Sequence, residues 1–516
     1  MATQYGAVSI KNDAEDDDKD RAIEMPLDDS TPKCRDPIFV VLFIAHLAGM
    51  VAMSIKFGSF KEVMDVAEDS GISEEDQEEY ADIAQSLFLH VALPSSVISF
   101  IFGLIITSYI LPANTLLAVK TSVISWLIVT IGIMIATAIM VETPWAYVGT
   151  VPLVALSIVY VFNVWKLVPF AAVNLKIALK GMSSNWGVYI IGIIFSFVTF
   201  FWVVFWFYVV NGFWNQRKQF FKDEMCDTGA DEEGLDCEKS VEEIGGYWGI
   251  MFLFLVSLYW TITVILNTVR VTVAGVMATW CFDKDDATTC CSPAVISSLV
   301  RAILFSFGSI CFGSLLEAIV TALRVIVERM KEREDADGNQ CDVGSILLCI
   351  AVCILRCIEN IVEYFNQWAY IYVGIYGYSY LESGKKVIEL FKDRGWTALF
   401  TTDLASHVLM FTTIFVGIIT GLIGILIDIG YTGIEGEWDS FVVGLIVALF
   451  ICHVMMSVIL GAVNTVIVCF AESPEKLAEN HPELTREMAE IWSDVFPECG
   501  ALGLLEGGEK LVPAVV

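Results

Sequence analysis

Apolar runs of membrane length alternate with short polar joints along most of the chain. Nearly uncharged stretches fall at 38–58, 86–111, 115–141, 145–167, 186–212, 246–278, 294–323, 343–380, 404–430 and 440–471. A bilayer core about 30 Å thick takes about 20 apolar residues of helix, and lipid offers no partner to backbone N–H and C=O groups. Each run is therefore expected to cross the membrane as a helix. The fold class this implies is all-α, a polytopic transmembrane helical bundle of about ten spanning helices. The expected organisation is a disordered acidic cytosolic tail over 1–35, a transmembrane domain over 36–471 and a cytosolic tail with short helices over 472–516.

Between the spans, residues 168–181 set Asn174, Lys176 and Lys180 among Phe170, Val173, Leu175 and Ile177, the pattern of an amphipathic helix lying at the inner interface. Ser473 before Pro474, and Asn480 to Pro482 ahead of Glu483, are helix starts in the tail. Gly417 with Gly421 and Ser309 with Gly313 have the spacing that lets helices approach closely.

Composition sharpens this picture. The 516 residues are 56% hydrophobic, with mean hydropathy +0.67, too apolar for a string of ordinary soluble domains. The formal charge of −31 leaves no basic stripe to track phosphates, so nucleic acid is not an expected partner. The acids collect outside the apolar runs, in 1–31, Glu62 to Asp82, Asp223 to Glu243 and after Glu472, as solvated tails and loops. With Glu15 to Asp18 in a row and no apolar core before Ile38, the first residues do not read as a secretory signal, and the first helix is expected to insert by itself.

Basic residues in short joints mark the cytosolic side. The joint 59–85 sets Lys61 against a run of acids, whereas Lys166, Lys176 and Lys180, and later Lys385, Lys386, Lys392 and Arg394, collect in joints on the other side. Both termini are accordingly expected in the cytosol. Arg324, Arg329, Lys331 and Arg333 break the alternation, which leaves either a loop diluted by Glu328, Glu332, Glu334 and Asp335 or a misplaced helix. Most of the 14 cysteines lie in apolar runs as small hydrophobes, but Cys226 and Cys237 share a polar joint assigned to the outer side, where a disulfide between them is expected.

Catalytic signatures are missing. The five histidines are scattered, no His-Glu-x-x-His or Cys-x-x-Cys pair occurs, and no glycine-rich loop ends in Gly-Lys-Ser/Thr. No enzyme activity, cofactor or metal is expected. The informative segment is Arg356 to Lys386, where Arg356, Glu359, Glu363, Asn366, Tyr370, Val373 and Gly377 recur every three or four positions and share one helix face. Charges that deep face a bundle interior or a watered cavity, unless Arg356 and a neighbouring Glu neutralise each other at the interface. Beside the stripe runs an aromatic ladder, Tyr364, Trp368, Tyr372, Tyr376 and Tyr380. Aromatic faces attract desolvated organic cations, while packing and interface anchoring account for the same residues in other membrane proteins. A second aromatic group includes Trp206 and Trp260, and Glu317 stands mid-span as a carboxylate that calls for a partner or a proton.

The segment FNQWAYIYVGIYGYSYLESGKK, Phe365 to Lys386, resembles the signature of the choline transporter-like family, with Asn366, Ala369–Tyr370 and Ile375–Tyr376–Gly377 at its recurring positions. GSICFGSLLEAIV at Gly308 to Val320 and CFAESPEKLAENHPELTREM at Cys469 to Met488 are similar to a helix and to the tail of the fungal and protist branch. The first outer joint lacks the long glycosylated form of the animal members, and Glu317 has no place in the family motif. The resemblance implies a plasma-membrane, multi-pass carrier of choline or a related small organic cation that hydrolyses no ATP. Its expected cation contacts are Tyr364, Trp368, Tyr372 and Tyr376, then Trp206 and Trp260, with Asn366 in the polar stripe and Glu363 and Glu317 setting charge selectivity. A channel or lipid scramblase with a polar track along the eighth helix, and a scaffold without transport activity, are the alternatives.

Overall fold

The computed structural model describes residues 34–57, 87–141, 144–221, 247–283, 287, 289, 292–336, 343–393, 404–432 and 438–495. Cys226 and Cys237, and nearly all of the acidic tail 1–35, lie outside the described residues. The described chain is all-α, and ten of its helical runs are long and apolar enough to cross a membrane.

In chain order these are α1 (Pro37–Phe57), α2 (Leu87–Ala113), α3 (Thr115–Val141), α4 (Pro144–Val164) leading into α5 (Val168–Ser184), α6 (Gly187–Phe221) and α7 (Tyr247–Phe282). A short α8 (Pro293–Leu304) precedes α9 (Phe307–Ala336), α10 (Val343–Tyr376), α11 (Tyr380–Asp393), α12 (Leu404–Thr432) and α13 (Trp438–Glu472). Two short helices close the described part of the chain, α14 (Pro474–Asn480) and α15 (Pro482–Val495), each opened by a proline that gives up no needed N–H.

Two helices organise the bundle. α13 packs along α12 and touches α2, α5, α6 and α7, while α7 packs on α6, α8, α9 and α10. Large apolar side chains that stay exposed, such as Ile128, Phe162, Phe201, Ile361 and Leu426, lie on the outer helix faces, where lipid would cover them. The end of the bundle carrying α14 and α15 is called the tail end below; α7, α10 and α13 finish there and α9 begins there.

The elements depart from the sequence pattern in two places. The run 294–323 is not one span but α8, a break at Phe305–Ser306 and the first part of α9, which continues to Ala336. Arg301 O accepts both the Phe305 and Ser306 N–H groups at 3.0 Å, and Ser306 O receives Ile310 N–H at 3.1 Å, starting α9. Arg324, Arg329, Lys331 and Arg333 therefore ride on a helix that continues beyond its predicted end, so the helix boundary expected there is misplaced. Residues 168–181 are also enclosed by protein on more faces than the amphipathic pattern implies. Phe170, Val173, Asn174, Leu175 and Ile177 are buried, because α5 is wrapped by α3, α13 and α15.

The predicted small-residue contacts are present. A Cβ on Gly417 would meet Leu449 and one on Gly421 would meet Phe441, so α12 and α13 approach closely there. At the α7–α10 crossing a Cβ on Gly374 would stand 2.6 Å from Val271 O, and one on Gly275 would stand 3.3 Å from Gly374 O. Only glycine lets these two helices meet backbone to backbone.

Candidate functional site

α10 changes character along its length. Ile346, Leu347, Ile350, Ile354 and Ile361 are exposed, whereas every residue from Trp368 to Ile375 is buried. The helix is peripheral at the far end and enters the interior at Asn366, which is fully buried. Three polar clusters lie along it.

At the far end Arg324 of α9 donates to Glu359 of α10 and, at 2.8 Å, to Glu328 on its own helix. Thr321 adds a bond to Glu359 at 2.8 Å, and Arg356 reaches Glu328 at 2.9 Å. The ion pairs thus run between α9 and α10. Arg356 and Glu359 are not each other's partners, so neutralisation within the helix, the alternative left open by the sequence, gives way to pairing across it.

At mid-bundle Asn366 Nδ2 donates to Glu317 Oε2 at 2.7 Å, and Tyr380 O–H donates to Asn366 Oδ1. Asn267 of α7 also hydrogen-bonds Glu317, and Arg270 of α7 supplies the opposing charge. Arg270 in turn donates to Asn267 Oδ1 at 3.1 Å. A directional chain runs alongside: Asn267 Nδ2 to Ser314 Oγ at 3.0 Å, Ser314 to the Tyr370 hydroxyl at 3.3 Å, and Tyr370 O–H to Ile310 O at 3.2 Å. Glu317 has the partners a carboxylate needs at this depth, because an unpaired charge there would carry a desolvation cost of several kcal/mol.

At the tail end Tyr372 O–H donates to Glu472 Oε2 of α13 at 2.6 Å, and the Tyr376 hydroxyl bonds the same carboxylate. Tyr376 stacks on Tyr378 with centroids 5.4 Å apart. No described cation lies within ion-pair distance of Glu472. Nearby, Asp36 Oδ2 joins the start of α1 to Ser309 of α9 at 2.7 Å and to the Tyr380 N–H at 3.3 Å.

The structure brings Asn366 together with Glu317, and Tyr372 together with Tyr376. It does not gather the remaining candidates around them. Glu363 is exposed, and Tyr364 is 37% exposed, both on the margin of α10 that still faces outward. Trp368 is buried in the main apolar core with Ile371 and Val463. Trp260 donates its indole N–H to Cys311 O at 2.9 Å and packs on Phe43 and His46. Trp206 donates to Phe254 O at 2.8 Å and borders a separate cavity of about 660 Å3 with Trp248, Tyr259 and Arg333. Sequence reading passed over Asn267, Arg270, Ser314, Tyr378 and Glu472. Arg270 had a signal of its own, being the single basic residue in the apolar run of α7.

Ten membrane-length helices among the described residues, with a buried polar seam between them, define a multi-pass membrane protein. The family described as plasma-membrane choline transporter matches residues 147–475, and this chain belongs to that family. Among its relatives, Protein PNS1 of Mycosarcoma maydis is 26% identical over 466 residues, 88% of this chain and 82% of the relative. Protein PNS1 of Kluyveromyces lactis is 27% identical over 91% of this chain and 83% of its own length. A CTL-like protein of Dictyostelium discoideum is 28% identical over 61% of this chain and 51% of its own.

Proposed function

We propose that this protein carries choline or a related small organic cation across the plasma membrane without ATP hydrolysis, with the tail end and both termini in the cytosol. The observation that carries the reading is Glu472. It is a carboxylate at the tail end of α13, held by two tyrosine hydroxyls of α10 and not matched by any described cation within ion-pair distance. Tyrosine rings beside an unneutralised carboxylate attract a cation that offers no hydrogen bond, since the ring faces supply the attraction and the carboxylate supplies the charge. Glu317 is a weaker candidate for that role, because Arg270 already opposes its charge. The Glu317–Asn366 network instead suits the movable joint between α7, α9 and α10 that a carrier needs for alternating access. Family membership supports the same substrate class.

The test is uptake of labelled choline into liposomes holding the purified protein. Saturable uptake, competed by a choline analogue and weakened by Glu472→Gln, is expected. Flux that grows linearly with the gradient, or lipid exchange between leaflets, would replace the carrier with a channel or a scramblase.

A further inference from the structure

α10 ends at Tyr376, and Gly377, with φ +69°, turns the chain while its N–H bonds Val373 O at 2.9 Å. Only this left-handed turn lays Tyr378 back over Tyr376, within 18° of parallel. Tyr372, 5.1 Å from Tyr376, is buried in the core and orients Glu472 from below, while the partly exposed Tyr376 and Tyr378 rings lie beside that carboxylate. Tyr372 and Tyr376 donate hydrogen bonds to that carboxylate, and the outer face of the partly exposed Tyr376–Tyr378 stack remains as the recognition surface. A cation already rests on this surface. Lys386 Nζ, from α11, stands 3.8 Å from the Tyr378 ring centroid.

The hold on Lys386 is loose. Its carboxylate partner Glu382 is 3.8 Å away, and the Lys386 side chain is 43% exposed. A primary ammonium of this kind is strongly hydrated, and water competes for it whenever it lies on a ring. A quaternary ammonium has no N–H to hydrate and loses less on reaching the same face. We propose that Tyr372, Tyr376, Tyr378 and Glu472 form a tail-end site for small quaternary or tertiary ammonium ions, and that Lys386 is its tethered occupant, displaced when a free organic cation binds. The proposal rests on the organic-cation reading above and adds a residue that sets affinity from the tail side. Lys386 fills the Tyr378 face between cycles, and smaller, better hydrated cations that would have to displace it gain little there.

Equilibrium binding of choline and of tetramethylammonium to the purified full chain tests it. Lys386→Gln removes the tethered charge and binds choline about five- to tenfold more tightly than the parent chain. Lys386→Arg keeps a cation on the ring and binds like the parent, and Lys386→Gln with Tyr378→Leu loses the gain. Equal thermal melting of the variants in detergent shows that the fold is intact. Lys386→Gln binding no more tightly than the parent overturns the proposal, and so does a gain that persists without the Tyr378 ring. Transport is read separately: uptake with no gain in Lys386→Gln leaves the carrier and removes the tethered occupant, whereas a gain without uptake keeps the site and removes the carrier.

Discussion

The Asn366 amide nitrogen stands 2.7 Å from a Glu317 carboxylate oxygen and ties α10 to α9 at the depth where both helices are buried. Glu317 is ten residues into α9, about 15 Å from the tail end at 1.5 Å of rise per residue. The donor and acceptor are both fixed by their neighbours, since Tyr380 occupies the Asn366 carbonyl and so turns its NH2 toward Glu317.

That polarity can be reversed. Asn366→Asp sets a second carboxylate against Glu317 with no donor between them, and breaking a buried pair of this kind costs about 3–5 kcal/mol. Adding Glu317→Gln exchanges the amide and the acid and restores one donor and one acceptor. The exchanged double variant is expected to melt well above Asn366→Asp alone in detergent. Equal melting temperatures would show that the contact does not govern the joint.

The helices were legible because length and lack of charge are sufficient for a membrane span, and polar residues inside such spans stood out for the same reason. Asn366 and Glu317 were both visible in this way, although their contact was not, since they lie 49 positions apart. Glu472 was read as the border of an acidic tail. Its role depends on α13 and α10 ending side by side, which brings it to Tyr372 across 100 positions. Glu363 went the other way: it has the spacing of the stripe, but at its level α10 still lies on the bundle's margin. Helical periodicity fixes which residues share a face and leaves open where along the helix that face becomes interior. The α8–α9 break carried no glycine or proline to announce it and arises from how Arg301 O is shared.

The far-end cluster separates charge pairing from charge as such. Arg324 and Glu359 are 22% and 19% exposed, enough burial for an unpaired member to be penalised. Arg324→Met strands Glu359 with Thr321 as its remaining described donor and is expected to lower stability by about 2–3 kcal/mol. Arg324→Met with Glu359→Gln removes both charges and is expected to recover most of the loss. Melting of the single and double variants under one salt condition measures the difference.

Gly377 tests the turn without touching any side-chain contact, because a Cβ there meets nothing within 4 Å. Its φ of +69° alone disfavours other residues. Gly377→Ala is expected to cost about 1–2 kcal/mol, and Gly377→Asn less, because asparagine visits this region more readily. If the turn positions Tyr378, choline affinity falls in the same order as stability. A variant that loses stability and keeps full affinity would separate the turn from the site.

The docking of the tail helices turns on packing more than on charge. Lys176 and Glu487 join α5 to α15 at 2.7 Å, but their side chains are 36% and 40% exposed, and half-exposed pairs contribute about 0–1 kcal/mol. Trp492, 1% exposed, is wedged between Phe170 of α5 and Phe470 of α13 with ring centroids 5.0 and 4.7 Å away. Truncating a buried tryptophan costs about 3–5 kcal/mol, more than a two-helix cap held by one face can lose and stay docked. Limited proteolysis in detergent is therefore expected to cut between α13 and α15 rapidly in Trp492→Ala and at the parent rate in Glu487→Gln. The reverse order would make the ion pair the anchor, and rapid cleavage of both would mean that neither contact holds the cap by itself.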